Sequence, residues 1–119
     1  MTIGIASVYN AGHWLEILER GTISYRQHQM YEGLFRTELD KCGQTLENVG
    51  TSEEKLHGLF VASCKAEANY LLGFLRDREV TSPKVFVGRI REALDAGGLT
   101  PDNIGSSGDE LDKFLVPKV

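Results

Sequence analysis

The chain has 119 residues, of which 41% are hydrophobic and 25% are charged, and its formal net charge at pH 7 is −4. This length supports one compact domain with a modest core and leaves little room for a deep cofactor cleft. The acidic balance argues against binding a nucleic-acid backbone, which requires clustered Lys and Arg. We therefore predict a single helical domain over residues 1–119 that binds no nucleic acid.

The N-terminal segment MTIGIASVY is apolar but lacks a basic leader and is too short to span a membrane. It is predicted to form an N-terminal arm over residues 1–9, either extended or as a single short strand. Two cysteines without a Cys-x-x-Cys pair favour a reducing, cytoplasmic location. Cys42 and Cys64 lie on apolar helix faces and are predicted to be inert thiols.

The next segments predict two helices. Asn10 is a suitable N-cap and Gly21 a suitable stop for a short first helix. Ser24 and Gln27 form a capping box for the second, which Gly43 ends. Its apolar face is predicted from three- and four-residue spacings to comprise Met30, Tyr31, Leu34, Phe35, Leu39 and Cys42.

The third predicted helix runs from Thr51 to about Glu79, with Thr51 and Glu54 as a capping box. At ~1.5 Å per residue it would be about 40 Å long, and its apolar side exceeds the arc of about 100° that a surface helix needs. We expect the shorter elements to leave part of this surface uncovered. A partner protein or a second copy would cover it.

A fourth helix is predicted to start with Ser82 as cap and Pro83 at the first position, and to end at Gly97. The tail over residues 105–119 carries a short helix capped by Ser107. Every strong pattern is thus helical. The predicted fold is an all-α bundle of four main helices with a long central third helix, a short N-terminal arm and a short C-terminal helix.

Few residues suggest chemistry. Glu54 and His57 have the Glu-x-x-His spacing of carboxylate-bridged metal bundles, but the second copy that such a site needs is missing. Glu38 and Glu67 each lie within an apolar helix face, where a carboxylate is costly unless it is paired or serves as an acid catalyst. Structural roles are favoured, so no enzyme activity, metal or cofactor is predicted.

The predicted function is protein–protein interaction, since large apolar side chains at the centre of an interface dominate its energy. We also predict a homodimer, which would bury roughly 800 Å² or more per partner. The candidate partner-binding residues are Leu59, Phe60, Tyr70, Phe74, Phe86 and Ile90.

In length, acidity and helical layout, the chain resembles the small quorum-sensing anti-activators of pseudomonads. The resemblance runs through YRQHQMYEGLFRTEL and EEKLHGLFVASCKAEANYLLGFL. It implies sequestration of a LuxR-type transcription factor, which would keep that receptor from dimerising on DNA, and it transfers no individual site residue. An immunity protein, an antitoxin or a phage-type inhibitor fits the same pattern, and a small metal-binding helical enzyme is the alternative from another class.

Overall fold

In the computed structural model the described residues are 3–21, 23–77 and 80–116, with side chains from residue 10 onward. They contain no strand, and the predicted all-α class is confirmed. The third helix is the longest, as expected. The helices are α1 (Ile3–Arg20), α2 (Tyr25–Cys42), α3 (Glu53–Asp77), α4 (Pro83–Ala96) and α5 (Gly108–Lys113), with 3₁₀ turns at Glu47–Val49 and Pro101–Ile104.

The chain divides into two compact units, Met1–Ser63 and Cys64–Val119. The boundary falls inside α3, so this helix contributes its first part to one unit and its second part to the other. The single domain expected over residues 1–119 stays a prediction. We refer to the two parts as the first unit and the second unit.

The predicted arm over residues 1–9 is wrong from residue 3 onward, because α1 begins at Ile3. Asn10 lies in the middle of this helix and is not its cap. The helix propensities of Ile and Val are less than about 1 kcal/mol below that of Ala, so packing can override them. Here α1 packs against α2. Residues 1 and 2 lie outside the described part.

The core of the first unit joins α1, α2 and the start of α3. The segment between α2 and α3 forms a 3₁₀ turn, and its Leu46 and Val49 pack against this core. Its two apolar anchors therefore hold the connection in place. The core residues are Ala11, Leu15, Leu18, Phe35, Leu39 and Leu56.

Helix α2 begins with the predicted capping box at Ser24 and ends at Gly43, which adopts φ 66°. Its buried face, however, differs from the predicted one. His28 is fully buried, whereas Met30 and Leu34 are exposed. The predicted face counted only apolar residues, so it did not include the polar His28, which lies two helical turns before Phe35 on the same face.

Helix α3 starts one residue later than its predicted capping box. Ser52 is the cap, since its Oγ accepts a hydrogen bond from Lys55 N at 3.1 Å and its carbonyl accepts one from Leu56 N at 3.0 Å. Thr51 is buried instead, and its N–H donates to the Leu46 carbonyl at 3.0 Å. The predicted end at Glu79 lies outside the described residues.

In the second unit, α4 has Pro83 at its start and Gly97 after its end, as predicted. Ser82 precedes it without a side-chain capping bond. Ser107 does cap α5, accepting from Glu110 N at 3.0 Å. The buried apolar side chains of this unit are Cys64, Ala68, Leu71, Leu72, Leu75, Val87, Ile90, Ala93, Leu94, Ile104 and Leu111.

Arg76 connects the end of α3 to the tail of the second unit. Its Nε and Nη2 donate to the two carboxylate oxygens of Glu110 at 2.9 and 2.6 Å, and Nη2 also donates to the Gly105 carbonyl at 2.9 Å. Arg91 on α4 pairs with Asp112 at 2.6 Å. The tail is therefore held by two ion pairs as well as by buried Leu111.

Within the described residues, no helix is both long and apolar enough to cross a membrane. Helix α3 has the length, but polar and charged side chains interrupt its apolar positions.

Candidate functional site

Three of the predicted partner-binding residues form a continuous aromatic surface in the second unit. Tyr70 is 67% exposed. Its ring packs edge-on against Phe74, with centroids 4.9 Å apart at 78°. Phe74 in turn lies 6.1 Å from Phe86 of α4, at 61°. We call Tyr70, Phe74 and Phe86 the aromatic ladder, and its outer end faces solvent.

The other three candidates lie elsewhere. Leu59 and Phe60 are half-buried in the first unit, where Leu59 packs against the core. Ile90 is fully buried, so its assignment to a partner surface is corrected: it is a core residue of the second unit. The periodicity placed Ile90 on the apolar stripe of α4 but did not show how deep it lies.

The sequence predicted that the shorter elements leave part of the apolar surface of α3 uncovered, and in the described residues the uncovered part is small. Most of its large apolar side chains are buried or half-buried, and Tyr70 is the exposed one in the described part of the chain. A helix that is apolar over more than half its circumference is covered when it has neighbours on several sides. The exposed large apolar side chain of α3 in the described residues therefore belongs to the aromatic ladder.

A second candidate site is a cleft of about 230 Å³ between α2 and the start of α3. We call it the charged cleft. Phe60 is its apolar element, and the other side chains are polar. It is lined by Gln29, Glu32, Arg36, Glu53, His57 and Phe60.

Arg36 organises the charges of this cleft. Its Nη1 and Nη2 donate to the two oxygens of Glu53 at 2.8 and 2.7 Å, and its Nε donates to Glu32 Oε2 at 3.3 Å. Hydrogen bonding to Glu53 raises the pKa of Arg36, and the same bonds lower the pKa of Glu53. Such a two-point pair fixes both side chains in one geometry.

His28 adjoins two residues that line the cleft, Glu32 and Phe60. It is fully buried, and neither ring nitrogen has a hydrogen-bond partner among the described residues. Its ring is 5.5 Å from that of Phe60, and its Nε2 is 3.7 Å from Glu32 Oε1. Burial lowers the pKa of His28 below its ordinary 6.5, although Glu32 opposes this effect. The imidazole is therefore neutral at pH 7.

The residues weighed for metal or acid–base chemistry are dispersed. Glu54 and His57 are exposed on α3, and Glu38 pairs with Lys41 at 3.5 Å. Glu67 is half-buried, with Oε2 lacking a hydrogen bond in the described structure. No three His, Cys, Asp or Glu side chains in the described ranges converge as metal ligands.

Both cysteines were predicted to be inert thiols, and the environment of Cys64 favours this. Burial, reinforced by the charge of Glu67, raises the pKa of Cys64 to about 11. The thiol is thus protonated at neutral pH, and a protonated thiol is a poor nucleophile. Cys42 is half-buried, with its Sγ 3.4 Å from the Leu39 carbonyl.

Comparison of the chain with protein-family models, with curated proteins and with solved structures gives no match.

Proposed function

We propose that the chain is a protein-binding inhibitor and that the aromatic ladder contacts its partner. The observation that carries this proposal is the exposure of Tyr70 together with the support of its ring by Phe74. A braced aromatic ring loses little conformational freedom on binding, and tyrosine is among the residues most enriched at the energetic centres of interfaces.

The sequence resemblance to quorum-sensing anti-activators supplies the kind of partner. In this proposal the chain binds the ligand-binding domain of a LuxR-type receptor and prevents the receptor from dimerising on DNA. The mechanism is occlusion of a surface. It requires stoichiometric binding, and no catalytic residue, cofactor or metal takes part.

Calorimetric titration of LuxR-type ligand-binding domains with the full chain tests the proposal, alongside a DNA-binding assay of each intact receptor. We expect a stoichiometric complex and loss of DNA binding. Tyr70→Ala should weaken the complex by about 2 kcal/mol or more, which is roughly 30-fold. Asn69→Ala, at the neighbouring exposed position, is the matched control and should bind like the unmodified chain.

The partner class and the surface can fail separately. If no receptor domain binds but another protein binds in a Tyr70-dependent manner, the chain belongs with immunity proteins, antitoxins or phage-type inhibitors. Receptor binding that Tyr70→Ala leaves unchanged would support the partner class and exclude the aromatic ladder as its surface.

The homodimer predicted from the sequence belongs to the same proposal, because a second copy can cover the same ladder. A specific dimer buries roughly 800 Å² per partner. Tyr70 could lie at the centre of such an interface, but other residues must supply most of the buried area. Light scattering at micromolar concentration should then give twice the mass of the chain, and Tyr70→Ala should shift the population toward the monomer. A constant monomer mass would contradict the dimer.

A further inference from the structure

We propose that the charged cleft of the first unit binds a small organic cation, namely a protonated amine or a guanidinium with a short apolar body. The site is separate from the aromatic ladder and does not depend on the proposed protein-binding function. Four features carry the inference: the charge balance of the cleft, the environment of Glu32, the burial of His28 and the position of Phe60.

The charge balance favours a cation. Glu32 and Glu53 bring two carboxylates to the cleft, and Arg36 brings one guanidinium. Arg36 donates three hydrogen bonds to these carboxylates, so its guanidinium is already paired within the cleft. With histidine counted as neutral, one negative charge remains, so an anion would meet net repulsion and a cation net attraction.

Glu32 offers the binding atom. Its Oε2 accepts from Arg36, while its Oε1 lies 3.7 Å from His28 Nε2, beyond hydrogen-bond distance. The Glu32 side chain is 26% exposed, so its carboxylate is held at the boundary between core and cleft. An ammonium or guanidinium N–H would complete the acceptor capacity of Oε1.

The buried imidazole of His28 is the third feature, because it lies next to Glu32 without neutralising its charge. Its imidazole approaches Glu32 from the protein interior and is fully buried, with no hydrogen-bond partner for either nitrogen in the described part of the chain. A buried polar group without a partner is rare in folded proteins, and a bound ligand nearby is one explanation for it. Because the ring is neutral, it does not supply the positive charge that balances Glu32.

Phe60 provides the apolar contact. Its ring is fixed by two aromatic neighbours, Tyr25 at 6.4 Å and 78°, and His28 at 5.5 Å and 57°. A cation near an aromatic face is attracted by the ring quadrupole, and an alkyl chain packs on the same surface. The cleft volume is below the range of about 300–1,000 Å³ typical of drug-sized ligands, so the ligand should be small.

Nuclear magnetic resonance titration of the full chain tests this inference, with butylamine and agmatine as cationic probes. Butyrate and 1-butanol are the anionic and neutral controls, matched in size to butylamine. We expect saturable shifts at α2 and the start of α3 with the cations, at about millimolar affinity, and none with either control. Absence of saturation with both cations, or equal binding of 1-butanol, would overturn the proposal.

Two variants localise the binding. Glu32→Gln keeps the size of the side chain and removes its charge, and should weaken cation binding at least tenfold. Glu54→Gln, an exposed carboxylate outside the cleft, should leave it unchanged. If Glu32→Gln fails to fold, Phe60→Leu serves instead, because loss of the ring should weaken agmatine severalfold while an aliphatic lining remains. Unchanged affinity in the folded variant would contradict the assignment, and Tyr70→Ala should have no effect.

Discussion

The two units of the chain differ in the chemistry of their accessible side chains. In the first unit, charged side chains line a cleft next to a buried polar residue, His28. In the second, aromatic rings extend from an apolar core to an exposed tip at Tyr70. The first arrangement suits a small charged ligand and the second suits a protein surface.

The comparison also shows what an apolar pattern can reveal. Helical spacing placed Tyr70, Phe74 and Phe86 among the large apolar positions, because ring size and periodicity are both visible in the sequence. It gave no sign of the charged cleft, whose key residues are polar and come from two separate helices. The Glu32 and Arg36 spacing of four was the one local signal, and such pairs are common on exposed helices.

The largest expected effect separates core from surface within the second unit. Ile90→Ala should lower the free energy of unfolding by about 2–5 kcal/mol, because it removes a fully buried side chain. Tyr70→Ala should lower it by less than about 1 kcal/mol. Chemical denaturation of both variants measures the difference. Equal losses would mean that Tyr70 is part of the core and that the ladder is not a free surface.

A smaller loss is expected at the close approach of Gly97 to α3. A Cβ at Gly97 would lie 3.0 Å from the Cβ and 3.3 Å from the Sγ of Cys64, so Gly97→Ala should cost about 1–3 kcal/mol. Gly88→Ala, whose added Cβ meets nothing within 4 Å, should stabilise α4 by about 0.5–1 kcal/mol. Thermal melts would show opposite shifts. A stabilising Gly97→Ala would contradict the tight packing.

The pH dependence of stability tests the buried imidazole of the first unit. The pKa of His28 is lower in the folded state than its ordinary 6.5, so below that pH the unfolded chain binds more protons. The contribution of the neutral, buried imidazole to the free energy of unfolding should be complete above pH 6.5 and should decrease as the pH falls below it. Unfolding free energies should show this slope in the unmodified chain and in His57→Gln, and a reduced slope in His28→Leu. An unchanged slope in His28→Leu would refute the assignment.

The smallest effect concerns the ion pairs that hold the tail. Hydrogen bonds from Arg76, and one from Ser106, lower the pKa of Glu110. The pair is largely accessible to water, so Arg76→Ala should cost only about 0.5–1 kcal/mol. Arg89→Ala, which removes a cation without an ion pair in the described structure, should change stability by less than about 0.5 kcal/mol. Denaturation at low and high salt would distinguish the two variants. Only the loss of unfolding free energy caused by Arg76→Ala should become smaller at high salt, because salt screens the ion pair.

The sequence predicted the all-α class and most helix ends because caps and stops are local. The capping box at Ser24, the left-handed Gly43 and the Ser107 cap each depend on a few adjacent residues. The errors arose where packing between elements determines where a helix begins. Residues 3–9 join α1, which packs on α2, and the cap of α3 moves to Ser52 because Thr51 is buried.

Burial depth could not be predicted from the sequence for the same physical reason. Burial depth depends on how many neighbours surround a helix, so Ile90 and Tyr70 look alike in the sequence although one is buried and the other exposed. His28 was missed because a polar residue does not contribute to an apolar pattern. Only the packed structure shows that its nitrogens lack partners within the described residues.

Affinity capture from the native cell lysate with three baits tests the protein-binding claim most directly: the unmodified chain, Tyr70→Ala and Asn69→Ala. The bound proteins are quantified for each bait, after melting curves have shown that all three baits are folded. We predict at least one stoichiometric partner that is retained by Asn69→Ala and lost with Tyr70→Ala. Identical capture by all three folded baits would contradict binding through the aromatic ladder.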